Sequence, residues 1–305
     1  MHAMRRVLVR VCYLTLFFTA CARQPETPPP NVSTTPAQGK YIPGDDAETI
    51  QSGGQTRRYR LHVPTAYRAG AAMALVLNLH GLNESAAMQE RLSGISAKAD
   101  QAGFIVTYPE GLGTPQNWKI GPNDAGVEDQ DFLLALIRYL QAGLTIDPAR
   151  IYVTGISNGA EMTERMGCAH ADVSAAIAPV SGGYFRGERC NPARPVPVVA
   201  FHGTADTLLP YVGRPPFMIS VKDWAAQWAA RNDCAPSKKV TYQHGDVSGI
   251  TWSDCKQNAD LTLYTVDGGG HAWPGSNAPP ILGKVTKDIN ATDTIWDFFA
   301  NHPEP

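Results

Sequence analysis

The stretch Ile151-Tyr152-Val153-Thr154-Gly155-Ile156-Ser157-Asn158-Gly159 sets a short apolar run against a polar turn and places one serine between them. Residues 151–155 are strand-forming and apolar throughout, as a strand covered on both faces should be, and residues 158–168 follow with helical period. Between the two stands the pattern GxSxG. Alone it is a weak signal, and the strand before it and the helix after it are what give it meaning. In so tight a turn the flanking positions have no room for a Cβ, and the serine hydroxyl is pushed above the sheet. The first helical turn offers free N–H groups to an oxyanion, that of Asn158 foremost. Ser157 is the candidate nucleophile.

Outward from this point the same alternation continues. Further strands are expected at residues 58–63, 74–79, 103–108, 175–180, 196–202 and 261–266, with helices at 86–101, 131–142, 221–232 and 292–301. Such alternation argues for an α/β fold with a mostly parallel sheet flanked by helices. No break in composition follows residue 40, so residues 41–305 read as one catalytic domain.

A serine needs a base, and after a strand-turn-helix nucleophile the partners follow in the order serine, acid, histidine. The strand at 196–202 runs into Gly203-Thr204-Ala205-Asp206, and the strand at 261–266 runs into Gly268-Gly269-Gly270-His271-Ala272-Trp273-Pro274. Both loops leave the carboxyl edge of the sheet, where sites form in open α/β folds. His271 would take the proton of Ser157 while Asp206 fixes its tautomer. Asp267 is a rival acid, and Asp206 can also be read as an ordinary turn former. The glycine run lacks GxGxxG spacing and a following Lys-Ser/Thr, which excludes a phosphate loop. His80 and His202, each next to a glycine at a strand end, read as structural hydrogen-bonders. The strand ending Leu79-His80-Gly81-Leu82 supplies the second oxyanion donor, the backbone N–H of Leu82.

Composition removes other classes of function. The chain has 305 residues, 43% hydrophobic and 18% charged, with 26 Lys+Arg against 28 Asp+Glu and a net charge of -2. General disorder is excluded, and no electrostatic footprint for nucleic acid exists. Residues 1–21 carry Arg5, Arg6 and Arg10 before an apolar run from Val11 to Ala20, the anatomy of an export signal. Phe18-Thr19-Ala20-Cys21 is similar to a bacterial lipobox, which makes Cys21 a lipidation site and the lipid the chain's one contact with a membrane. Ala20-Cys21-Ala22 also fits ordinary signal cleavage and soluble secretion. Residues 22–40, with Pro25, Pro28, Pro29, Pro30 and Pro36, read as a disordered tether. The working compartment is extracellular, or periplasmic or outer-membrane for a lipoprotein.

Four further cysteines, Cys168, Cys190, Cys234 and Cys255, then face an oxidising compartment. Three pairings are possible. The sequence-local one, Cys168 with Cys190 and Cys234 with Cys255, closes two loops of moderate length, each worth about 3 kcal/mol in the loop-entropy model. Zinc is the poorer reading, because no CxxC and no nearby histidine at ligand spacing accompany either pair. No metal and no cofactor is expected.

The chain resembles the extracellular polyhydroxybutyrate depolymerase and feruloyl esterase group of α/β-hydrolases. The likeness rests on Arg58-Tyr59-Arg60-Leu61-His62-Val63-Pro64, Leu79-His80-Gly81, Tyr108-Pro109-Glu110-Gly111, Asp147-Pro148-Ala149-Arg150, Gly155-Ile156-Ser157-Asn158-Gly159, His202-Gly203-Thr204-Ala205-Asp206, Gly269-Gly270-His271-Ala272-Trp273-Pro274-Gly275 and Ile295-Trp296-Asp297-Phe298-Phe299. It implies a serine carboxylic-ester hydrolase with Ser157, Asp206 and His271 as its triad. Leu82 and Ala160 depart from the group's usual residues and bear on the acyl pocket. Trp118 and Trp273 are read either as an aromatic wall for substrate or as core. Many polymer depolymerases carry an added binding domain for which this length leaves no room, which favours soluble or oligomeric esters. An inactive, lipid-anchored binding protein on the same scaffold is the competing class. Such a protein should lack a triad member, and all three are present.

Overall fold

The computed structural model describes residues 40–120, 127–187, 190–277 and 280–304. The readings of residues 1–21 and 22–39, Cys21 included, lie outside them. Ten strands form one sheet: β1 (Gly44–Ser52), β2 (Gln55–Val63), β3 (Met73–Leu79), β4 (Ile105–Pro109), β5 (Ile146–Ile156), β6 (Ala176–Val180), β7 (Val198–Gly203), β8 (Lys238–His244), β9 (Val247–Trp252) and β10 (Leu261–Val266). Their order is β1-β2-β4-β3-β5-β6-β7-β10-β9-β8. The six strands from β4 to β10 in that order pair in parallel. The hairpins β1-β2 and β8-β9 close the two ends antiparallel.

Alternate residues of one strand feed two cores. Leu75, Leu77 and Leu79 of β3 pack on one face with Phe132, Leu136 and Leu140 of α3 (Val127–Gly143), Met162 and Met166 of α4 (Asn158–Ala169), and Trp224 and Trp228 of α5 (Val221–Arg231). Ala74 and Val76 face the other way, toward Ala86 of α1 (Ala86–Ser93), Ile95 and Ala99 of α2 (Ile95–Ala102), and Ile295 and Phe299 of α6 (Ala291–Ala300). The period of 2 along each central strand thus separates two apolar layers, which is why these strands read as unbroken apolar runs.

Two expectations are corrected. The helix expected at 86–101 is two helices, because Gly94 adopts φ 65 and its N–H returns to the Glu90 carbonyl, ending α1 before α2 begins. Three strands, β1, β8 and β9, had no counterpart in the sequence reading. In β8 every residue except Tyr242 is exposed, so its pairing rests on backbone hydrogen bonds and leaves no apolar pattern.

Both sequence-local disulfides form, Cys168 with Cys190 and Cys234 with Cys255. Among the described residues no helix is long and apolar enough to cross a membrane.

Candidate active site

Ser157 sits at the turn between β5 and α4 with φ 57 and ψ -124, a conformation that side-chain-bearing residues rarely adopt. The two glycines explain why the chain can turn there. A Cβ on Gly159 would lie 2.4 Å from the Leu79 carbonyl oxygen, and one on Gly155 would lie 2.7 Å from the carbonyl oxygens of Leu79 and Gly159. Any side chain at either position would push α4 off β3. The same crowding brings the loop after β3 against the serine, since a Cβ on Gly81 would stand 3.4 Å from the Ser157 Cβ. The peptide that carries the Leu82 N–H is therefore next to Ser157, and the Leu82 side chain is exposed.

That loop is held from several sides. His80 is fully buried; its Nδ1 lies 2.7 Å from the Gly81 carbonyl, and its Nε2 accepts the Gly111 N–H at 3.0 Å. Burial pushes the His80 imidazole pKa down, against the smaller raising effect of the Gly81 carbonyl. The Gly81 N–H donates to Glu84 Oε2 at 2.9 Å. Asn158 adds a tie that the sequence does not announce. Its Oδ1 accepts the Trp118 N–H at 2.6 Å and its Nδ2 donates to the Trp118 carbonyl at 3.0 Å, so the residue after the serine pins the segment beyond β4.

The carboxyl edge is laced from β5 to β10. The Ser157 N–H donates to the Val180 carbonyl, Ser181 N–H to Phe201, Thr204 N–H to Val266 and Ala205 N–H to Gly269. These bonds carry the loops of Ser157, Asp206 and His271 side by side on four neighbouring strands. His271 Nδ1 and Asp206 Oδ2 are 2.8 Å apart, with the side chains 4% and 0% exposed. Asp206 Oδ1 accepts the N–H groups of Leu208 and Leu209, each at 2.9 Å. Burial pushes the Asp206 carboxyl up, but hydrogen bonds from His202 and His271, the charge of His271 and the Leu209 N–H outweigh it and hold the carboxyl well below the usual carboxylate range. A carboxyl lowered in this way adds stability above the ordinary carboxylate range, and that contribution is lost as pH falls through the lowered value. Asp267 stands apart: it is exposed and accepts the Thr204 hydroxyl at 3.1 Å.

Neither tryptophan presents a face to a ligand. Trp118 is 1% exposed and donates its indole N–H to the His80 carbonyl; Trp273 is 1% exposed and donates to Thr292 Oγ1. The aromatic wall is corrected to core packing, because each N–H is satisfied inside the protein and each ring is enclosed. Leu82, Leu208, Ile281 and Leu282 are exposed large apolar side chains on or beside these loops, and the carbonyl of Leu282 accepts the His271 N–H. Among the described residues no group of three His, Cys, Asp or Glu side chains is placed to hold a metal.

Residues 58–203 match the family model described as Esterase PHB depolymerase. A protein named as an esterase, NocK, from Nocardia uniformis subsp. tsuyamanensis is 29% identical over 92% of this chain and 93% of its own length. Feruloyl esterase B of Piromyces equi is 30% identical over 71% of this chain, which spans 42% of that protein. Among solved structures, an acetyl xylan esterase from Aspergillus awamori superposes with a TM-score of 0.62 at 16% identity, covering 84% of this chain and 99% of that one, a likeness of fold. The chain thus has the α/β-hydrolase fold and is similar to esterases of the polyhydroxybutyrate depolymerase and feruloyl esterase group.

Proposed function

We propose that this protein is a serine carboxylic-ester hydrolase working through an acyl-enzyme, with Ser157 as nucleophile, His271 as general base and acid, and Asp206 as the acid that orients it. The observation that carries this reading is the buried 2.8 Å hydrogen bond between Asp206 and His271 Nδ1 on the sheet edge that also holds Ser157. With Nδ1 engaged, Nε2 is left to accept the serine proton. Ser157 Oγ attacks the ester carbonyl and its proton passes to His271. The oxyanion is met by the Leu82 and Asn158 N–H groups, each worth about 3 to 4 kcal/mol of transition-state stabilisation. His271 then returns the proton to the departing alcohol, leaving the acyl group on Ser157. Water repeats the sequence and frees the acid.

The substrate is a soluble or oligomeric ester with an apolar acyl part. Exposed Leu82, Leu208, Ile281 and Leu282 support the apolar part, and the names of the relatives support an aryl or hydroxyalkanoyl acid. Turnover of p-nitrophenyl acetate, methyl ferulate and a hydroxybutyrate oligomer, measured in parallel, tests this. We expect hydrolysis of the acetate together with at least one of the two bulkier esters. Hydrolysis of none would overturn the assignment, and acetate alone would overturn the substrate class.

The protein works outside the cytoplasm, tethered by a lipid on Cys21. The basic and apolar start of the chain and the two disulfides support export. Mass spectrometry of the mature N-terminus is expected to find a diacylglyceryl group on Cys21. An unmodified start at Arg23 would establish soluble secretion instead.

A further inference from the structure

Asp206 is met by two histidines. His202 is the penultimate residue of β7, four positions before Asp206, and both side chains are fully buried. Its Nε2 lies 2.8 Å from the Leu209 carbonyl and 3.4 Å from Asp206 Oδ2, the same oxygen that faces His271. The Leu209 carbonyl is an acceptor, so Nε2 carries the proton and donates. The ring is set edge-on to Tyr211, at a centroid distance of 5.8 Å, and the Tyr211 hydroxyl is bonded to Thr265 on β10, the residue paired with His202 across the sheet. His202 is thus clamped to the sheet on one side and grips the loop 206–209 on the other.

Its remaining nitrogen, Nδ1, is buried with no partner among the described residues. A bare buried acceptor costs desolvation free energy that an apolar ring of the same shape would avoid. What the position gains in return is the Nε2–H. Without it, the carboxylate would still take the Leu208 and Leu209 N–H groups on Oδ1, but the Leu209 carbonyl would lose its hydrogen bond from His202, and Oδ2 would keep His271 as its one side-chain tie among the described residues.

We propose that His202 is a positioning residue for the acid: its Nε2–H ties the Leu209 carbonyl and Asp206 Oδ2 so that Oδ2 stays aimed at His271 Nδ1. This rests on the reading of Asp206 and His271 as acid and base. His202 touches no substrate atom in this role and acts only through Asp206.

The test compares His202→Phe with His202→Gln, whose side-chain amide N–H reaches about as far as Nε2. Three quantities are read: kcat and KM on p-nitrophenyl acetate, the melting temperature, and the low-field proton resonance of the Asp206–His271 hydrogen bond. His202→Phe is expected to lower kcat by about 100-fold, the scale of a small misplacement of a catalytic group, with KM within about twofold of wild type and the low-field resonance broadened or lost. His202→Gln is expected to recover most of kcat and the resonance. A folded His202→Phe protein with full kcat and an intact resonance overturns the proposal. If phenylalanine unfolds the chain, His202→Asn replaces it, because its shorter amide keeps polarity but not reach; equal kcat and equal resonance in the Asn and Gln variants would then overturn it. His271→Ala serves as control. If that variant keeps activity, the reading of the base fails and this proposal with it, whereas loss of activity in His271→Ala beside full activity in His202→Phe sinks the positioning role alone.

Discussion

Ser157→Ala is expected to abolish ester hydrolysis and to leave folding intact. Removing a triad serine costs about 10⁶ in turnover in the serine-protease template. The fold should not notice, because alanine keeps the Cβ and meets the same backbone constraint at φ 57. Gly155 and Gly159, not the hydroxyl, allow the turn to pack against the Leu79 carbonyl. Turnover on p-nitrophenyl acetate and a melting curve are the two measurements. A folded Ser157→Ala protein that kept a tenth of wild-type activity would sink the assignment of the nucleophile.

The next largest effect separates two aspartates. In Asp206→Asn the amide is oriented by its surroundings: the Leu208 and Leu209 N–H groups demand an oxygen at the Oδ1 position, so the NH2 falls where Oδ2 faced His271. Nδ1 must then accept a hydrogen bond, and the imidazole proton moves to Nε2, where it blocks acceptance of the serine proton. The corresponding change in the serine-protease template lowers turnover by about 10⁴. Asp267→Asn should be mild, because that side chain is exposed and accepts the Thr204 hydroxyl, a bond that an amide oxygen can also accept. Both variants are measured on one soluble ester. Equal losses, or a larger loss at Asp267, would place the acid on the wrong loop. In the wild type Asp206 stays ionised throughout the range in which an imidazole changes charge, since its carboxyl is held so low. Asp206 therefore contributes no change of charge of its own to the pH profile of activity near neutrality.

How much of this was legible in the sequence follows from what each element buries. The central strands are covered on both faces, so runs such as Leu75 to Leu79 announce themselves as uninterrupted apolar stretches. The strand β8 buries nothing along most of its length and holds its place by backbone pairing, which no side-chain pattern records. The loops of Asp206 and His271 could be placed because each follows such a strand, and position after a strand fixes the edge on which a residue lies. Direction within a loop is another matter. Trp273 is two residues from His271, yet its indole turns under the sheet to Thr292, and nothing in the spacing tells a ring which way to point. The same holds for His202 and Asp206, whose meeting depends on the turn 203–206 folding back on itself. The helix expected at 86–101 failed at Gly94, where a glycine of positive φ ended one helix and opened the next without any change in hydrophobic period.

The two disulfides lie at the end of the molecule away from the chemistry. Helix α4 starts just after Ser157 on the carboxyl edge and runs back to Cys168, which is bonded to Cys190 in the segment entering β7; helix α5 likewise runs back toward Cys234, bonded to Cys255 in the segment entering β10. The strands that deliver Asp206 and His271 are thus stapled, at their roots, to the helices in front of them. In a reduced chain both staples are absent, and the roots of β7 and β10 are held to those helices by noncovalent contacts alone while the ladder between the two strands stays paired. The staples thus add rigidity at the roots of these strands, at the opposite end from the loops whose spacing they protect.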